Sequence, residues 1–167
     1  MARTFQEAQK DVNDMYKNLS QIADDIINKN TNNLNKVIKD IENNVEKLTD
    51  SDLRNYMLKL ASMAYALGDK VEHADFKRDC ANALLKETNA REFNLAAGPV
   101  ATKQNVALLN TSQETAVNIL YNMVADSMKS KLQMTNRMLD SIKNVLISRS
   151  AEAKIQNQLG FGTKEEY

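Results

Sequence analysis

The chain has 167 residues, with 22 Lys plus Arg against 22 Asp plus Glu, one His, one Cys, one Pro, four Gly and no Trp. A formal net charge of zero excludes nucleic-acid binding through bulk charge alone, although it leaves room for a local basic stripe. One Pro and four Gly supply too few turns for a many-stranded β-protein, which needs a turn signal every ~8–12 residues. With 43% apolar but only 5% aromatic residues, the composition favours packed helices around an aliphatic core.

In chain order, Phe5, Ala8, Val12, Met15, Leu19, Ile22 and Ile26 step alternately by three and four, an a/d seam flanked by Lys, Asp, Asn and Gln. So narrow a stripe fits a coiled-coil partner, and self-association is expected through Phe5, Val12, Met15, Leu19, Ile22 and Ile26. Docking of the same helix on its own domain is the alternative. The polar run Asn28-Lys29-Asn30-Thr31-Asn32-Asn33 separates this seam from a second one at Leu34, Ile38, Ile41, Val45 and Leu48. Across it the chain either bends or continues with the stripe rotated.

Thr49-Asp50-Ser51-Asp52 is rich in N-cap residues and opens a new helix. Its stripe of Leu53, Met57, Leu60, Ala64, Leu67, Val71, Ala74, Ala81, Leu84 and Leu85 persists to about Phe93, and Gly98-Pro99 ends it. Residues 98–111 read as a connection. Thr111-Ser112-Gln113-Glu114 has capping-box spacing and starts a last long helix, to about Gln156, with Val117, Tyr121, Val124, Met128, Leu132, Leu139, Ile142 and Leu146 on one face. The expected fold is therefore all-α: a long antiparallel helical hairpin with an N-terminal helical, coiled-coil segment. Its parts are residues 1–50 for oligomerisation, 51–157 for the hairpin and 158–167 as a flexible tail.

Catalytic chemistry is hard to place. No phosphate-loop pattern occurs, and Gly160-Phe161-Gly162 lacks the third glycine and following helix of a phosphate cradle. His73, beside Glu72 and Asp75, lacks a second ligand set and reads as a surface or interface histidine. Cys80, in Cys80-Ala81-Asn82-Ala83, reads as a buried structural thiol, and Met123, Met128, Met134 and Met138 as core filler. No catalytic residue, metal or cofactor is expected. A lone cysteine, an N-terminus that becomes charged too early for a signal peptide, and the lack of ~18 uninterrupted apolar residues together lead to the expectation of a cytoplasmic protein without a membrane span.

Charge is unevenly spread. Residues 1–50 carry 7 basic and 9 acidic groups, residues 51–98 carry 7 of each, and residues 99–167 carry 8 and 6. Between 115 and 154, Lys129, Lys131, Arg137, Lys143, Arg149 and Lys154 face only Asp126, Asp140 and Glu152, so the last helix is mildly basic. A few phosphate contacts per chain are weak alone and multiply when copies assemble.

The last helix, with Tyr121-Asn122-Met123-Val124-Ala125-Asp126, then Leu132, Arg137, Ile142-Lys143, Arg149 and Glu152-Ala153, resembles the C-terminal helix of the UvsY recombination mediators of tailed phages. The earlier helix, with Tyr56, Lys77-Arg78, Lys86 and Arg91 ahead of Gly98, looks like that family's first long helix, which ends in a basic segment and a glycine turn. The resemblance covers about residues 53–154. It implies an α-helical homo-oligomer that binds single-stranded DNA and loads a RecA-like recombinase onto strands covered by single-strand-binding protein. The family's basic pair before the turn falls near Lys86 and Arg91, which here stand five residues apart. On this reading Lys77, Arg78, Lys86, Arg91, Lys129, Lys131, Arg137 and Lys143 hold the strand by its phosphates, and base stacking is expected to add little. The competing expectation is a helical protein–protein interaction module, a scaffold or a phage inhibitor of a host protein, with no nucleic-acid binding.

Overall fold

The structure, a computed structural model, describes residues 5–161. Expectations for residues 162–167 and for the Phe5 and Ala8 side chains fall outside the described residues. Among the described residues there are four helices: α1 (Phe5–Asn44), α2 (Asp50–Leu95), α3 (Val100–Asn110) and α4 (Ser112–Phe161). No strand occurs among the described residues, so the fold is all-α, and α2 packs on α4 as a helical hairpin. None of the helices is long and apolar enough to cross a membrane.

By internal contacts the chain forms two compact units, one of residues up to Asn32 with Leu67–Ser130, the other of Asn33–Ala66 with residues from Lys131 onward. In the first, Ala23 and Ile27 of α1, Leu67, Val71, Ala74 and Ala81 of α2, Ala107 of α3, and Val124, Ala125 and Met128 of α4 are buried. Many of these are alanines, which let helix backbones approach closely. Pairing of Asp75 with Lys129, and of Glu92 with Asn110, shows α2 running antiparallel to the segment that follows it. The second unit buries larger aliphatic groups: Leu34, Val37 and Ile41 of α1, Leu53 and Leu60 of α2, and Ile142 of α4.

The Asn-rich run does not interrupt the helix; α1 continues through it without a break. Its polar side chains bond back to their own helix, Asn30 Nδ2 donating to Ile26 O at 2.7 Å and Thr31 Oγ1 to Ile27 O at 2.9 Å. With its hydroxyl so occupied, Thr31 is only 1% exposed and bridges the buried stripe from Ile27 to Leu34. Thr111 and Thr135, both 0% exposed, use the same device on Ala107 O and Lys131 O.

At the start of α2, Thr49 and Asp52 form a reciprocal cap. Asp52 N donates to Thr49 Oγ1 at 3.2 Å, while Thr49 N and Oγ1 donate to Asp52 Oδ2 at 3.0 and 2.6 Å. These bonds from the Thr49 hydroxyl and amide hold the Asp52 carboxyl below its ordinary pKa. Arg149 Nη1 of α4 secures the same corner, donating to Leu48 O at 2.8 Å and to Asp50 Oδ1 at 3.2 Å. Tyr56 OH donates to the Asp40 carboxylate, and that bond raises the phenol pKa.

Residues 98–111 differ from the expected connection, since most of them form α3. Gly98 takes φ of +105°, a region L side chains avoid, and Pro99 follows at φ −62°, ψ 158° as the N-cap of α3. Thr111 alone separates α3 from α4, and the i to i−4 ladder passes through it, from Thr111 N to Ala107 O and from Thr115 N to Thr111 O. The expected capping box at Thr111–Glu114 gives way for that reason: the Thr111 hydroxyl is turned back onto Ala107 O. Cys80 also departs from expectation. It is exposed, because the buried stripe of α2 passes through Ala74 and Ala81 and leaves position 80 on the outer face.

Candidate functional site

Four positions of α2, Lys70, His73, Ala74 and Lys77, are spaced i, i+3, i+4 and i+7 and so share one helix face. Ala74 is buried and anchors that face, while both lysines and His73 are exposed. Opposite, α1 contributes Ile26, Lys29 and Asn30, and α4 contributes Tyr121, Val124 and Met128. Together they line a cleft of about 410 Å³ within the first unit. Its floor is apolar, from Ile26, Ala74, Val124 and Met128; its polar groups are three lysines, a histidine, an asparagine and a tyrosine, with no carboxylate in the lining.

Such a cleft concentrates positive potential over a low-dielectric floor, which favours an anion. Lys77 Nζ lies over the Tyr121 ring, 6.0 Å from its centroid, so a cation and an aromatic face meet in the cleft. Ammonium groups on flexible stems suit phosphate as point charges, and an aromatic ring in the lining is the kind of surface on which a base stacks. Among the described residues no group of three His, Cys, Asp or Glu side chains is placed to hold a metal ion.

The eight basic residues singled out from the sequence have different surroundings. Lys77 belongs to the cleft. Arg78 and Lys129 converge on one carboxylate, with Arg78 Nη1 at 2.9 Å and Lys129 Nζ at 2.8 Å from Asp75 Oδ1. A further contact joins Arg78 to Asp79 at 3.4 Å. Lys86 and Arg91 are exposed, the latter 3.6 Å from Glu92, which also accepts a bond from Asn110 Nδ2 at 2.8 Å. In the second unit Lys131 Nζ donates to Asn35 Oδ1 at 3.2 Å, Arg137 is exposed, and Lys143 borders a separate apolar groove.

The seam residues divide as well. Val12, Met15 and Ile22 are exposed, Leu19 is half-buried, and half-buried Ile26 is part of the cleft floor. Sequence reading missed Lys29, Lys70, His73 and Tyr121 as members of one site. The i, i+3, i+7 spacing of Lys70, His73 and Lys77 was available as a signal; the approach of Lys29 and Tyr121 was not.

Compared with known proteins, the chain matches no family model, no curated sequence and no solved structure.

Proposed function

We propose that this chain is a non-enzymatic, self-associating helical protein that holds single-stranded DNA, with the cleft between Lys29, Lys70, Lys77 and Tyr121 as its contact for phosphate and base. The observation that carries the reading is the composition of that cleft: three lysines and an aromatic ring, one of the lysines over that ring, with no carboxylate in the lining. Lysines neutralise phosphates without regard to sequence, and a tyrosine face stacks on any base, so the chemistry suits a strand with unpaired bases. Self-association rests on the exposed seam of Val12, Met15 and Ile22. Repetition of a weak site along an assembly turns a few contacts into useful affinity. The resemblance to UvsY mediators fits this reading and adds a RecA-like recombinase and single-strand-binding protein as partners in a phage-infected cytoplasm.

Fluorescence anisotropy with a labelled single strand and its duplex tests the proposal. Single-strand preference that Lys70→Glu with Lys77→Glu abolishes is the expected result, with Lys129→Ala close to wild type because Asp75 already occupies that ammonium. A second reading, a protein-interaction module without nucleic acid, is favoured by that same pairing, which takes Arg78 and Lys129 out of any phosphate contact. Absence of binding even at low salt would select it.

A further inference from the structure

The second unit holds a groove of about 690 Å³ between α2 and α4 that none of the described residues covers. Leu58 and Ile147, 72% and 57% exposed, stand with Leu146 on its apolar surface, and Ser150 and Ala151 leave room between the helices. Arg54, Lys143 and Lys154 border it, and no carboxylate contributes to its lining. An apolar trough with three cations at its edge is poorly suited to a phosphate backbone, which would leave the leucine and isoleucine side chains wet. It fits an amphipathic helix with apolar anchors and acidic flanks.

This chain carries such a helix. On α1, Val12, Met15 and Ile22 are 66%, 41% and 47% exposed along one line, and Tyr16 beside them is 63% exposed. Asp11 lies one turn before Met15 and Asp25 one turn after Ile22, while Lys10 and Lys17 fall on the face away from the seam. Between residues 5 and 26 there are five carboxylates and two lysines, so the helix is acidic where the groove is basic. We infer that the exposed α1 seam of one copy docks in the groove between α2 and α4 of a second copy. This inference rests on the self-association proposed above and names the surface that receives the seam. Because seam and groove are unlike surfaces, each copy offers one of each, and two copies that exchange them reciprocally close a dimer. Copies that do not exchange reciprocally add head to tail into a ring or an open chain, whereas a seam-on-seam coiled coil leaves every groove empty.

The experiment uses the full chain with its exposed thiol removed, Cys80→Ser, and a single new cysteine, Met15→Cys in one preparation and Ile147→Cys in the other. Both new positions are exposed, so folding is unaffected. Each preparation alone, and an equimolar mixture, is treated with a short bismaleimide, and uncoupled samples are sized by light scattering. Cross-linked dimer confined to the mixture is the expected result. As a second measurement, Lys143→Glu with Lys154→Glu weakens association about tenfold, and Asp11→Lys with Asp25→Lys restores it. Dimer from Met15→Cys alone means the seam pairs with itself, which overturns the inference and leaves self-association standing. Dimer from Ile147→Cys alone, or association indifferent to the groove reversal, also overturns it. Monomer mass with no cross-link at any concentration overturns the inference and the self-association together, and assigns the groove to another partner.

Discussion

Asp75 shows how a single side chain decides which cations are available. By drawing Arg78 and Lys129 to one oxygen, it ties α2 to α4 and withdraws two of the basic residues that the sequence offers for phosphate. Lys77, two positions further on, faces the Tyr121 ring on the cleft side. Charge counted along a sequence cannot make this distinction, because it depends on which carboxylate lies across the helix interface. The Thr49–Asp52 cap has a consequence for pH at the same scale. A carboxyl whose pKa is lowered by folding contributes stability that is present above its ordinary value and is lost as pH falls through the lowered one. Thr49→Ala should therefore flatten the acid limb of a denaturation series run from neutral to acid pH, and cost about 0.5–2 kcal/mol at neutral pH as a lost N-cap. An acid limb unchanged by the substitution would show that the cap does not set it.

At the scale of the element, α1 carries two stripes. One, through Ala23, Ile27, Thr31, Leu34, Val37 and Ile41, is buried; the other, through Val12, Met15 and Ile22, is exposed. The heptad pattern revealed that α1 is amphipathic, but the buried stripe was obscured because threonine does not count as apolar in a pattern. Only a hydroxyl bonded to its own helix makes Thr31 fit a core position. α3 was hidden for a related reason: Gly98 and Pro99 signal the end of one helix and serve equally well as the entry to the next. Gly68 in α2 and Gly98 after it contrast. Gly98 needs its positive φ, whereas Gly68 sits inside α2 and a Cβ built there meets nothing within 4 Å. Gly68→Ala is expected to raise unfolding stability by about 0.5–1 kcal/mol, read as an increased denaturant midpoint, and Gly98→Ala to lower it. A lowered midpoint for Gly68→Ala would mean that the glycine serves a packing or binding role.

For the whole molecule, zero net charge conceals a separation of sign. The first half of α1 is acidic, while both the cleft and the groove are lined by cations without carboxylates. Separation of this kind allows a neutral chain to attract an anion at one place and a second copy at another. It also sets how binding responds to salt. Three lysines neutralising three phosphates give a slope of log affinity against log salt of about −2 per cleft on a single strand. A titration series at several salt concentrations measures this slope. A flat response would mean that the ammonium groups of the cleft do not contact phosphate.

By itself the sequence determined the all-α class, the helical hairpin and the start of α2, because helical period, capping residues and scarce turn residues act locally along the chain. It also marked α1 as amphipathic. Only the tertiary structure decided that Lys29, Lys70, Lys77 and Tyr121 share one cleft, that Arg78 and Lys129 are held by Asp75, and that Cys80 faces outward. Those outcomes depend on how each helix is rotated against its neighbours, which side-chain packing across the interfaces sets and no local pattern records.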